Sequence, residues 1–556
     1  MLLLLLLLFF SSSLSFSSAA TSDNSVYDTF VRCLSDNIKP KDQISKIVYG
    51  PQNSSFAKLL QDYIRNPRFS TLTTRKPLLL VTPSQESQVP ATIICTKKIG
   101  VQLRIRSGGH DYEGISYVSN VPFIILDMFN LRSIDINMND ETAWVQSGAI
   151  LGELYYAIWE KSKVHGYPAG VCPTVGVGGH ISGAGYGNML RKFGLTVDNL
   201  LDARIVDAKG QMLDRKGMGK DLFWAIKGGG GASFGVVTAY KIKLVRVPPV
   251  VTVFRVKKTL EENVTDIVYR WQFVANKIAD DLFIRLLVQP GTKKDKNSEK
   301  ESVDGHEGKT VKVTFIALFL GDSDRLVSVM KSQFPELGLT KQDCTEMSWI
   351  QSVLFWANFD NGTSEKVLLE RKLDSISFNK RKSDYLKTPM PKDGLEGLWK
   401  QIMKLGKAGM VFNPYGGKMN AIAESKTPFP HRKGNILKIQ YFANWKEAGF
   451  EAENKYLAQT RRLYSYMTPF VSKNPREAYL NYRDFDIGIT DNGNNTYHQA
   501  KVYGLKYFKG NFDRLVKVKT AVDPENFFRS EQSIPPLPSF HQCKTKKRLT
   551  LQDHMH

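Results

Sequence analysis

Two side chains raise the chemical question in this chain. His110 stands in Arg106–Gly114 (RSGGHDYEG), and Cys172 stands in Gly170–Gly187 (GVCPTVGVGGHISGAGYG). A neutral imidazole nitrogen and a thiolate are both nucleophiles. The two residues are 62 positions apart, each on a glycine-rich stretch. Six of the twelve residues from Gly176 to Gly187 are glycine. Such a backbone can lie close to a phosphate or a planar ring. A flavin has electrophilic positions at its dimethylbenzene edge, and both nucleophiles could bond there. For Cys172 a disulfide, a metal site, a phosphate loop and a cofactor anchor are all open.

Spacing removes some of these. There is no Cys-x-x-Cys pair and no histidine cluster at zinc spacing, so no metal site is expected. A dinucleotide fingerprint needs glycine at the sixth place of G-x-G-x-x-G. Counting from Gly176 and Gly183, Ile181 and Asn188 stand there, and no Walker pattern occurs. A further glycine loop opens Gly228–Val245. Three such loops within about 130 residues favour a large anionic cofactor.

The elements that must hold these loops are legible as patterns. Val101, Leu103 and Ile105 alternate in Gly100–Arg106, a strand running straight into Ser107, Gly108, Gly109 and His110. Leu151–Ser162 reads as a helix leading to the Cys172 loop. Leu201–Leu213 reads as two strands about a Lys209-Gly210 turn, and the Gly228 loop feeds another strand. Ser25–Asp36 has helical spacing of apolar residues. After Val251 the texture changes. Strand-like Thr310–Gly321 and Asn435–Trp445 alternate with helical Asp322–Phe334, which predicts a second domain whose sheet roofs a site. The charged insert Lys293–Glu301 reads as a solvated loop.

At 556 residues, with 42% hydrophobic and 23% charged, the chain is long enough for two or three domains with real cores. The net charge of +22 suits acidic surroundings such as anionic wall polysaccharide. No nucleic-acid motif accompanies it. The uncharged, leucine-rich first twenty residues read as a secretory leader cut near Ala20, and no later run is long enough to span a membrane. Sequons at Asn53, Asn263, Asn361 and Asn494 fit a secreted glycoprotein. Five cysteines (Cys33, Cys95, Cys172, Cys344, Cys543) leave at least one outside any intrachain disulfide.

The blocks RIRSGGHDYEG, GVCPTVGVGGHISGAGYG, AYLNYRDFDIG and VDPENFFRSEQSIPP resemble the plant berberine bridge enzyme-like proteins, from about Asn24 to Leu537. The resemblance implies an α+β fold: a PCMH-type FAD-binding domain plus a substrate domain with a large antiparallel sheet flanked by helices. The implied segments are a leader at 1–20, an N-terminal part of the FAD domain at 21–75, and the FAD-binding domain at 76–250. A substrate domain at 251–474, a returning C-terminal segment at 475–540 and a basic tail at 541–556 follow. By resemblance FAD is bound covalently through both His110 and Cys172, and Cys33 pairs with Cys95. Arg106, Ser107, Gly108, Gly109, Asp111, Val175, Gly176, Gly179, His180, Gly183, Gly187 and Asn526 are implied to surround the cofactor. His180 would donate a hydrogen bond near the flavin N1–C2 edge. Val175 would gate oxygen, its modest size marking an oxidase.

For the substrate side the resemblance points to monolignol-type allylic alcohols. Tyr482 is the expected base, Tyr186 its helper and Lys438 the electrostatic activator, with Tyr112, Tyr479 and Gln440 completing the set. Lys438 and Gln440, two apart on a strand, share a face. A cation beside a phenol favours the phenolate. Carbohydrate oxidation, oxidative cyclisation and non-redox cycloaddition are the competing activities. A secreted monomer of the cell wall is expected, with the vacuole also compatible with the leader.

Overall fold

The computed structural model describes residues 19–39, 41–292, 308–371, 376–491 and 496–538. The leader, the Lys293–Glu301 insert, Asn494, Cys543 and the basic tail lie wholly or mainly outside them.

Three main sheets carry the chain. The first has strand order Val48–Tyr49, Leu79–Val81, Phe123–Asp127, Gln102–Arg106. Its last three strands are parallel, and the helix Gln88–Ile99 lies between the second and the fourth in sequence. The strand Gln102–Arg106 begins two residues later than the alternation suggested, because Gly100 takes a left-handed conformation (φ 74°) that ends the preceding helix. The N-terminal helix Ala19–Asn37 extends beyond the expected Ser25–Asp36. Cys33 and Cys95 form a disulfide that joins this helix to Gln88–Ile99.

The second sheet is antiparallel, in the order Ile134–Asn137, Thr142–Gln146, Val236–Lys243, Leu200–Val206, Met212–Leu213. The third is a seven-stranded antiparallel sheet. Its order is Cys344–Met347, Val251–Thr259, Lys309–Phe319, Leu282–Thr292, Ala408–Pro414, Leu437–Trp445, Phe378–Leu386.

Period two divides the faces of this third sheet. Leu437, Ile439 and Tyr441, with Leu282, Ile284, Leu286, Phe412 and Met410, enter one core. There they pack with apolar residues of the helices Val264–Val274, Lys392–Leu405 and Ser323–Gln333. The alternate residues Phe283, Arg285, Asn413 and Gln440 line a cleft on the opposite face. The fold is therefore α+β with a large antiparallel sheet flanked by helices. Among the described residues no helix is long and apolar enough to cross a membrane.

Candidate active site

The cleft lies between the glycine loops and the seven-stranded sheet. Gly108 and Gly176 bring the two nucleophile loops together. A Cβ on Gly108 would stand 2.3 Å from the Gly176 nitrogen, and one on Gly176 would stand 2.3 Å from the Gly108 nitrogen. No other residue type fits that approach. Gly109 is tighter still, with φ 65° and a would-be Cβ 2.0 Å from the Tyr63 carbonyl oxygen. The result is that His110 and Cys172 line one cleft, with Cys172 exposed.

The His110 ring is held by Thr174, whose Oγ1 is 3.3 Å from Nε2. Burial, reinforced by the charge of Arg65, holds the His110 pKa well below the usual histidine value. The ring is therefore neutral, the state in which an imidazole nitrogen is a nucleophile. His180 is also neutral, pushed down to about 3 by burial and by Lys438. Its Nε2 accepts from the Gly170 N–H at 3.2 Å and lies 3.1 Å from Oγ1 of Thr196, a hydroxyl that can turn to donate to it. The one proton of the neutral ring therefore sits on Nδ1.

Ser107, Gly108, Gly109, Asp111, Val175, Gly176, Gly179, His180 and Gly187 all line the cleft. Gly179 has nothing within 4 Å of a would-be Cβ, so a side chain there would project into open space. Asp111 Oδ1 accepts from the N–H groups of Glu113 and Ile115, a turn that fixes the loop after His110.

Three of the residues expected around the cofactor do not line the cleft. Arg106 is fully buried, paired with Asp127 at 2.7 Å and donating to the carbonyls of Leu59 and Leu60. These partners, contributed by other segments, draw its guanidinium away from the cleft. Gly183 makes room for Asn481, whose Oδ1 would be 1.9 Å from a Cβ there. Asn526 takes a left-handed turn (φ 54°) that returns the chain towards Asp523.

On the sheet side, Lys438 is 1% exposed. Its Nζ lies 3.0 Å from the centroid of the Tyr186 ring, 4.0 Å from that of Tyr479 and 5.0 Å from that of Tyr482. The hydroxyls of Tyr186 and Tyr482 are hydrogen-bonded to each other. Gln440 Nε2 donates to the Tyr112 hydroxyl at 3.3 Å, and the Tyr112 and Tyr482 rings are 6.1 Å apart. All six expected substrate-side residues thus converge.

Burial, then Arg285, pulls the Lys438 pKa well below its ordinary value. Burial pushes Tyr186 up to about 12 against the opposing charge of Arg285, and pushes Tyr479 and Tyr482 well above the usual phenol value.

Residues far apart in sequence fix this arrangement. Tyr479 N–H donates to Ser383 Oγ at 2.8 Å, and Asn481 Nδ2 donates to the His180 carbonyl at 3.0 Å. Beneath them, buried Lys380 pairs with Glu113 and with Asp484 at 2.7 Å, and Lys382 pairs with Asp484 and Asp486. One ionic network therefore ties the His110 loop, the sheet edge and the tyrosine segment. Breaking such a buried pair on one side leaves an uncompensated charge.

Sequence reasoning missed Arg285, Asn413, Asn481 and Arg381. Arg285 and Asn413 line the cleft, and Arg381 lies 5.3 Å from the Tyr112 ring centroid. The signal for Arg285 was a lone charge inside the apolar run LFIRLLV. For the others no sequence signal stood out.

The residues fit a flavin. Two nucleophiles, one neutral and one exposed, share a cleft whose wall is bare backbone, and an imidazole Nδ1–H is available beside it. Comparison with known proteins agrees. The model described as "FAD binding domain" matches residues 77–215, and that described as "Berberine and berberine like" matches 478–535. The chain is 57% identical over 524 residues to Berberine bridge enzyme-like 21 of Arabidopsis thaliana, covering 94% of this chain and 95% of that protein. The structure of berberine bridge enzyme from Eschscholzia californica matches with a TM-score of 0.84 and 39% identity, over 92% of this chain and 100% of that one. The grass pollen allergen Phl p 4, described as having glucose dehydrogenase activity, matches with a TM-score of 0.84 and 43% identity, over 92% and 100%. A PCMH-type FAD-binding fold and similarity over 94% of the chain lead to one assignment: the chain belongs to the berberine bridge enzyme-like family of FAD-dependent oxidoreductases.

Proposed function

We propose that the protein is a secreted oxidase of monolignol-type allylic alcohols or related phenolics, carrying FAD on both His110 and Cys172. The carrying observation is Lys438 buried among Tyr186, Tyr479 and Tyr482. Bound FAD would supply the hydride acceptor and pass electrons on to oxygen, with hydrogen peroxide as product.

The chain's own task is the alcohol proton. Burial opposes charge on the amine and on the phenols, so the unit is held with little net charge. Amine with two phenols, or ammonium with one phenolate, carries the same total. Tyr482 takes the alcohol proton, Tyr186 shares it through the paired hydroxyls, and Lys438 becomes or stays ammonium against the tyrosine faces. Gln440 holds Tyr112, and the pair orients the substrate against the sheet. His180 presents Nδ1–H to the flavin edge where negative charge grows on reduction. Val175 leaves the oxygen route open. The wall and the vacuole both suit the leader, and the basic surface suits anionic wall polysaccharide.

A carbohydrate oxidase is the second reading. It is favoured by the pollen allergen, of which an isoleucine-to-valine variant is described as a glucose oxidase. A peroxide assay over monolignols, their glucosides, glucose and oligosaccharides separates the two. Turnover of sugars alone overturns the alcohol reading, and product formation without oxygen uptake overturns both.

A further inference from the structure

Outside the cleft, the imidazole of His431 is fully buried (0% exposed). Its Nδ1 is 2.7 Å from Glu477 Oε2, and its Nε2 is 3.0 Å from the carbonyl oxygen of Tyr507. A carbonyl oxygen only accepts, so Nε2 carries a proton. Nδ1 without a proton would then point a lone pair at a carboxylate oxygen 2.7 Å away. A second proton must stand between them. Turning the ring over would set carbons against both oxygens and strip a buried carboxylate of a partner, so the hydrogen bonds fix the orientation.

The charges around the ring favour its taking that proton. Glu477 Oε1 accepts from Lys387, and Lys509 Nζ lies 4.0 Å from it. Burial alone would raise the Glu477 pKa, but His431, Lys387 and Lys509 together hold it at about 2. For His431 burial outweighs Glu477 and draws the pKa below the ordinary histidine value; it is the geometry, an acceptor oxygen against each ring nitrogen, that calls for the second proton. Tyr385 stacks on the ring at 4.2 Å and Phe429 meets it at 5.1 Å, surfaces that favour a cation. The adjacent Arg432 is paired with Asp198, and the Tyr415 ring meets that of Tyr385 edge to face at 5.8 Å.

Glu477 opens the segment that carries Tyr479 and Tyr482. The N–H of Ala478 donates to the Lys506 carbonyl, and the N–H of Tyr479 to Ser383. The Phe429 ring touches both His431 and Tyr479, the latter at 5.8 Å. We propose that His431 is a buried imidazolium that grips Glu477 and thereby sets the Glu477–Tyr482 segment, making it a positioning residue for the tyrosine base. The catalytic consequence rests on the tyrosine assignment above; the protonation does not.

Nitrogen-15 NMR of the full-length, FAD-loaded protein labelled at histidine reads the ring directly. His431→Gln identifies the resonance, and Glu477→Gln does so by its shift if the first variant does not fold. Both ring nitrogens protonated at pH 7 is the expected result, and an unprotonated Nδ1 overturns the proposal. The second measurement is anaerobic flavin reduction by coniferyl alcohol. His431→Gln and Glu477→Gln should each lower the limiting rate about 10–100-fold with little change in KM, as misplaced catalytic groups do. The double variant should be no slower than the slower single, because the two residues act as one unit. Additive losses, or an unchanged limiting rate, overturn the positioning role. If no alcohol reduces the wild-type flavin, the substrate reading fails, and amide exchange of residues 477–486 replaces the rate. Faster exchange there in His431→Gln supports the proposal, and unchanged exchange overturns it.

Discussion

The amine of Lys438 sits 3.0 Å from the ring centroid of Tyr186, whose hydroxyl is bonded to that of Tyr482. Below the unit's pKa it holds ammonium and two phenols and cannot accept a proton. As pH rises through that pKa it becomes a base. Because burial lowers Lys438, the onset lies below the ordinary lysine value of 10.5. In Lys438→Met only the phenols titrate, and Tyr186 alone stands at about 12. Anaerobic flavin reduction measured across pH should therefore begin at higher pH in the variant. Superimposable profiles would remove Lys438 from the proton path.

Tyr482→Phe removes the group assigned as base while keeping the ring among Tyr112, Tyr186 and Tyr479. The rate of flavin reduction should fall about 10²–10⁴-fold, the usual span for general-base removal. Tyr186→Phe should fall less. Stopped-flow reduction at saturating alcohol checks the order, and a faster Tyr482→Phe than Tyr186→Phe reverses the assignment.

Val175 lines the cleft and its N–H donates to the Cys172 carbonyl at 3.2 Å. Val175→Leu should slow reoxidation of the reduced flavin by air and leave anaerobic reduction near its wild-type rate. Equal slowing of both half-reactions would mean that the side chain shapes the substrate site instead.

His110 and Cys172 share one cleft, so each single alanine variant should keep FAD attached through the other residue. Only the double variant should release its FAD on acid denaturation. Peptide masses read this without any turnover. Release from either single variant would leave only one bond.

Glu477 stands at about 2 in the fold against 4.5 unperturbed. A carboxyl so depressed stabilises the fold above pH 4.5 and loses that contribution as pH falls towards 2. Thermal unfolding of wild type should therefore weaken more steeply across that window than that of Glu477→Gln. Parallel curves would show that the carboxylate contributes little.

Much of the site was legible from local pattern. His110, Cys172 and His180 stood on glycine stretches whose backbone had to lie close to something. Lys438 and Gln440 shared a strand face by period two, and both reach the tyrosines, Lys438 at Tyr186 and Gln440 at Tyr112. Arg106 turns instead to Asp127 and to the carbonyls of Leu59 and Leu60, partners from other segments that its nearness to His110 concealed. Gly183 carried a packing requirement, room for Asn481, that resembles cofactor clearance when only the sequence is read.

The sequence by itself determined the nucleophiles, the glycine loops that bare the backbone, and the strand faces, because each depends on neighbours a few positions away. Tertiary structure alone decided that Tyr186 meets Tyr482 across 296 residues and that Lys380 joins Glu113 to Asp484. It also set His431 between Glu477 and Tyr507. Those contacts join segments with no local preference for one another. They are fixed by burial, which leaves each enclosed charge and hydroxyl dependent on partners that the chain's topology delivers.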